Sequence, residues 1–145
     1  MKALFILGRL LFGGYFIYNG INHFLHAKQM ADSKNVPQPE LAVSATGAAL
    51  VLGGTSILLG IKPRLGAAAL VGFLAGGSPI MHDFCRQDDP NKRMEDMIQV
   101  TKNMALLGGT LAFMAVEAPW PASVPVAQPS KLERIRKVVR REVCA

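Results

Sequence analysis

Residues 3–24, ALFILGRLLFGGYFIYNGINHF, constrain the chain more than any other stretch. They are mostly apolar and carry one full charge, Arg9. At ~1.5 Å per residue a helix of this length covers roughly 33 Å, enough to cross a bilayer. The run is too long for the core of a cleavable signal, and Asn22, His23 and Phe24 stand where a small-residue cleavage site would follow. Its polar groups sit toward two ends. Arg9 is near the start, while Asn19, Asn22 and His23 crowd the finish at spacings of three and four, on one helical face.

Three more apolar segments follow. Residues 41–61, LAVSATGAALVLGGTSILLGI, hold no charge, with Pro39 suited to the first turn and Pro63 to the stop. Residues 65–81 are shorter, roughly 26 Å if helical, and Pro79 is expected to kink or end them. Residues 97–116 are interrupted by Lys102 and Asn103. No segment alternates with period two, which argues against a β-barrel. Half of the chain is hydrophobic and only 18% is charged. The competing reading is a soluble helical bundle, but a water-facing helix needs a polar face and residues 41–61 have no charged one. The pairs Gly13-Gly14, Gly53-Gly54, Gly76-Gly77 and Gly108-Gly109 suit close backbone approach in lipid. The expected fold is all-α: a four-transmembrane-helix bundle over 1–117, a Pro-rich linker over 118–129 and a basic amphipathic tail over 130–145.

The connections carry local signals. Residues 27–40 are polar, contain Pro37 and Pro39, and have room for a short interfacial turn. Lys62-Pro63-Arg64 is a tight turn that makes a hairpin of the second and third segments. Asp89 reads as an N-cap with Pro90 at the first helical position, so the fourth helix begins outside the lipid. Residues 118–129 hold four prolines and read as stiff and extended. In the tail, Ser130 and Glu133 form a capping-box pattern. Leu132, Ile135, Val139 and Val143 share a face, with Lys131, Arg134, Arg136, Lys137, Arg140 and Arg141 around the rest. Such a helix suits an anionic membrane surface. The net charge of +6 belongs largely to this tail, and no aromatic interleaves its cations, which argues against nucleic acid.

With four crossings both termini share a side. Lys2, Lys62, Arg64 and the six tail cations lie there, against Lys28, Lys34, Arg86, Lys92 and Arg93 opposite. The richer side is expected to be cytoplasmic. Ionisable groups inside a membrane are costly and are functional candidates by default. In the inner half, Arg9 is expected to pair with Glu117, the alternative being that it snorkels to the headgroups. In the outer half, Asn19, Asn22, His23, His82, Asp83, Lys102 and Asn103 arrive together, with Tyr18 beside them and Lys102 facing Asp83. These groups could line a pocket for a polar head such as a quinone ring or a small anion. They could instead serve as packing contacts worth ~0.6 kcal/mol each. His23, His26 and His82 lack a third ligand at a suitable spacing, so no metal site is expected. Cys85 and Cys144 form no CxxC motif and fall on opposite sides of the membrane.

The stretches LGRLLFGGYFIYNGINHF (7–24), ALVLGGTSILLGIKPRLGA (49–67) and KNMALLGGTL (102–111), with His82 before a polar loop, resemble the DoxX family. The resemblance runs from about residue 7 to 111 and leaves the basic tail outside. It implies a four-helix bundle in the bacterial inner membrane. It also implies kinship with a membrane subunit of thiosulfate:quinone oxidoreductase and with membrane partners of thiol-oxidant and superoxide defence enzymes. No catalytic motif carries over. The expected role is a redox-associated or quinone-facing subunit, with the bilayer and other membrane or redox proteins, or further copies, as partners. The alternatives are a non-catalytic anchor or assembly subunit, and small-solute transport by an oligomer.

Overall fold

A computed structural model describes residues 1–31, 39–77, 85 and 88–125. His82, Asp83 and the basic tail, Lys131 to Arg141 included, lie outside the described residues. The described elements are helical: α1 (Lys2–Leu25), α2 (Ala27–Ala31), α3 (Pro39–Leu59), α4 (Pro63–Gly72) continuing into a π-helical stretch (Phe73–Gly77), and α5 (Pro90–Ala115). Lys2–Leu25 and Glu40–Leu59 are long and apolar enough to cross a membrane. Of the four segments expected to do so, α4 is short and α5 opens with Lys92, Arg93, Glu95 and Asp96.

Leu4, Leu7, Leu11, Tyr18, Ile21 and Leu25 of α1 and Leu41 and Leu52 of α3 are exposed. In water this would be a far larger apolar surface than soluble proteins tolerate; in lipid it costs nothing. The chain is therefore organised as a membrane protein, with apolar side chains facing outward as well as into the core.

Close packing of α1 on α3 is set by glycine. A Cβ on Gly13 would lie 2.7 Å from the Gly54 carbonyl oxygen, and one on Gly54 would lie 2.7 Å from that of Gly13. Gly20 and Gly47 stand in the same relation at 2.7 and 3.0 Å. Each helix thus presents a glycine every seven residues, and the two run antiparallel with backbone against backbone. The neighbouring Gly53 turns instead to α4, where its Cβ would meet Leu70 at 2.8 Å and the Gly66 carbonyl at 3.0 Å. The Gly53-Gly54 pair therefore serves two partners at once. A Cβ on Gly14, Gly76 or Gly108 would meet no other helix or side chain within 4 Å among the described residues, so only some members of the glycine pairs act as packing sites.

The α3–α4 hairpin forms where Lys62-Pro63-Arg64 predicts it. Gly60 (φ +68°) and Lys62 (φ 46°) take the left-handed conformation that reverses the chain. Ser56 Oγ donates to the Ile61 carbonyl at 2.7 Å and closes the turn. At the far end of α4, α-geometry gives way at Phe73, earlier than the expected break at Pro79. Gly76 and Gly77 are weak helix formers, and Pro79 has no N–H to donate to the Ala75 carbonyl four residues back. Asp89 caps α5 as predicted: its carboxylate accepts the Asn91 N–H at 2.9 Å and Pro90 follows.

The helices pack in the order α1, α3, α4, α5, and among the described residues α1 and α5 do not approach closely through their backbones. Near the start of α1 aromatic rings bridge that space. Phe12 packs on Phe113 at 5.0 Å, and Phe5 packs on Phe113 and Trp120 at 5.8 and 5.4 Å. Near its end no aromatic pair among the described residues joins α1 to α5, and a cavity remains. Trp120, 3% exposed, joins Phe16, Leu50, Ile57 and Leu70 in the core. Residues 118–125 are therefore not an extended spacer, while 126–129 of the expected linker lie outside the described residues. Residues 116–125 fold back as a strap, with the Val124 N–H on the Leu59 carbonyl at 3.0 Å and the Ser123 hydroxyl on the Trp120 carbonyl at 2.9 Å. Burying one large indole outweighs the stiffness of the prolines around it.

Candidate functional site

The cavity has a volume of about 390 Å³, within the range of small-molecule sites. Its floor is core: Phe16, Leu50 and Leu74 are all buried. Its rim is polar and comes from two helices far apart in sequence. α1 supplies Tyr15, Asn19 and His23, spaced by four so that they stack along one face. α5 supplies Asp96, Gln99, Lys102 and Asn103, likewise one to two turns apart on one face. Phe73 of the π-helical stretch and Met30 of α2 close the sides.

The rim groups differ in how they are held. Asn19 Nδ2 donates to the Tyr15 carbonyl at 2.8 Å, which ties its side chain to its own helix. His23 Nδ1 lies 2.9 Å from Thr46 Oγ1 on α3, and its ring meets Phe73 edge-on at 5.8 Å between centroids. Thr46 in turn donates its hydroxyl to the Val43 carbonyl at 2.7 Å. Lys102 Nζ donates to Gln99 Oε1 on its own helix, and Lys102 is exposed. Chemically the cavity offers an apolar slot bordered by one cation, one carboxylate, an imidazole and several amides.

Of the residues singled out in the sequence, Asn19, His23, Lys102 and Asn103 line this cavity together. Asn22 is half-buried but does not border it; its carbonyl accepts from His26 Nδ1 at 3.2 Å, and His26 is exposed. Tyr18 points outward at 66% exposure, and Tyr15 takes the place expected for it. Cys85 is exposed. Tyr15, Thr46, Asp96 and Gln99 escape a reading of the sequence, although signals exist. Tyr15 precedes Asn19 by one turn, Asp96 and Gln99 precede Lys102 by six and three, and Thr46 is a hydroxyl in a charge-free segment.

Arg9 stands at the other end of α1, 3% exposed. Its expected pairing with Glu117 does not occur, since Glu117 is exposed and Arg9 turns to the strap. Nη1 donates to the Pro121 carbonyl at 2.7 Å and Nη2 to the Ala122 carbonyl at 3.1 Å, while the guanidinium lies 5.9 Å from the Trp120 ring centroid. Planar guanidinium geometry suits two adjacent carbonyls, and the indole face adds cation–π attraction. Nε, also buried, has no hydrogen-bond partner among the described residues. The arrangement is a structural clasp: a buried cation binds the strap through backbone dipoles.

A family model, DoxX, matches residues 4–83, more than half of the 145-residue chain. The match takes in α1, α3, α4 and the Asn19–His23 side of the cavity, and it ends before α5 and the 102–111 stretch that contributes the opposite rim. No curated protein and no solved structure matches the chain. On the extent of that match, with the lipid-facing helices beneath it, the chain belongs to the DoxX family.

Proposed function

We propose that the protein is a small multi-pass subunit of the bacterial inner membrane whose cavity holds the polar head of a ring-bearing amphiphile, a quinone in the first instance, in association with redox partners. Both termini lie on the cytoplasmic side in this reading, and α4 and α5 complete the four crossings. One observation carries it: a cavity of about 390 Å³ with a buried apolar floor and a rim that gathers Asn19, His23, Lys102 and Asn103 from two helices. An apolar ring would lie against Phe16, Leu50 and Leu74, while Lys102 and the amides would meet its oxygen atoms and His23 would hold a proton there. A quinone bound in this way would supply electron-carrying chemistry that no side chain of the cavity provides.

The test uses the full chain purified in mild detergent and a short-chain quinone analogue, with binding followed by calorimetry. Wild-type protein is expected to bind it, and His23→Ala and Lys102→Ala to weaken binding by about tenfold, as each removes a polar partner of a buried group. Equal binding by folded wild type and both variants, or none by wild type, would refute the reading.

A further inference from the structure

His23 is a rim group whose hydrogen-bonding role is set from outside the cavity. Its Nδ1 lies 2.9 Å from Thr46 Oγ1. The Thr46 hydroxyl proton is already committed to the Val43 carbonyl at 2.7 Å, one turn back along α3. An oxygen that has given its proton away can only accept from a second neighbour. The Nδ1 of His23 must therefore carry a hydrogen, and in the neutral ring Nε2 is then the lone-pair nitrogen. A ring flip would put Cδ2 where Nδ1 stands and forfeit the contact with Thr46, so this bond also fixes the orientation of the ring, which meets Phe73 edge-on at 5.8 Å.

We propose that Thr46 is a positioning residue that fixes His23 as the Nδ1–H tautomer, so that the cavity presents an Nε2 acceptor and prefers a ligand bearing an O–H donor. Resting on the cavity reading above, this makes the reduced, hydroxyl-bearing quinol the better occupant beside His23 than the carbonyl-bearing quinone. The two forms share a ring and a tail, so the apolar floor does not separate them. A quinone oxygen placed against Nε2 would set acceptor against acceptor, and the failed hydrogen bond would lower its affinity. Thr46 itself is not among the residues that line the cavity, so its effect passes through the imidazole alone.

The experiment has two arms on the full chain in detergent. In the first, the nitrogen-15 spectrum of the histidine rings is recorded for wild type, Thr46→Val and Thr46→Ser, with His23→Gln used to assign the His23 signals. Wild type is expected to show protonated Nδ1 and bare Nε2. Thr46→Ser, which keeps the hydroxyl, should retain that pattern, and Thr46→Val should lose it toward a mixture of tautomers. A wild-type ring protonated on Nε2, or on both nitrogens, or an unchanged pattern in Thr46→Val, would overturn the proposal; the wild-type spectrum decides even if a variant does not fold. In the second arm, affinities for a short-chain quinol and its quinone are compared under anaerobic conditions. Wild type and Thr46→Ser should favour the quinol by about tenfold, and Thr46→Val should shrink that preference severalfold. Equal affinities with the expected tautomer would overturn the ligand preference. Failure of both ligands to bind a protein with the expected tautomer would sink the quinone reading and leave the role of Thr46 standing.

Discussion

Replacing Gly13 by alanine probes the α1–α3 seam most directly. The new methyl would sit 2.7 Å from the Gly54 carbonyl oxygen and 2.8 Å from Leu58 Cβ. Ordinary contact begins at 3.4 Å, so the helices must part locally by 3.4 − 2.7, or 0.7 Å. The opposing oxygen is backbone and cannot move by changing rotamer. Overpacking of this kind costs about 1–3 kcal/mol. Alanine also favours the helix over glycine by about 1 kcal/mol, which would mask part of the effect in a single variant. Gly14→Ala removes that ambiguity, because it lies one residue along the same helix and its Cβ would meet nothing within 4 Å. The propensity gain cancels between the two variants and the difference isolates the clash. Gly13→Ala should be less stable than Gly14→Ala by about 1–3 kcal/mol in denaturant titration of the detergent-solubilised protein, followed by helical circular dichroism. The pair Gly13→Ala with Gly54→Ala should cost less than the sum, since helices already parted by one methyl meet the second with less resistance. Equal stabilities for Gly13→Ala and Gly14→Ala would refute backbone contact as the basis of this seam.

The remaining predictions concern the strap and the α5 cap. Trp120 is the one tryptophan and is 3% exposed, so its emission should be blue-shifted and protected from iodide; a water-like spectrum would mean that residues 116–125 do not pack as described. Arg9→Met should leave the Pro121 and Ala122 carbonyls unmet, cost about 1–3 kcal/mol in chemical denaturation, and move the Trp120 emission to longer wavelength. Asp89→Ala should cost about 1 kcal/mol through loss of the α5 cap, measured by the same titration, with the tryptophan signal of the folded state unchanged.

What the residue order already contained was everything governed by near neighbours and by solvent. Apolar runs without a charged face called for lipid, Asp89-Pro90 marked the start of a helix, and Lys62-Pro63 marked a reversal. Spacing of three and four put Asn19 and His23 on one side of α1. Each depends on interactions within a turn or two, and these are printed in the local sequence. Partner choice across the fold was not legible in this way. A carboxylate at Glu117 looked like the natural mate for Arg9, yet the guanidinium found carbonyls 112 and 113 positions away because Trp120 draws the strap over it. Prolines in residues 118–129 suggested a spacer, whereas burial of one indole makes the first part of that stretch core. Tyr15 and Tyr18 are the same letter in the sequence; the face of α1 that Gly13 and Gly20 press against α3 leaves the first on the cavity and the second exposed. The cavity itself is a consequence of α1 and α5 standing apart, and a separation between helices is a property of how several faces pack at once, which no single segment encodes.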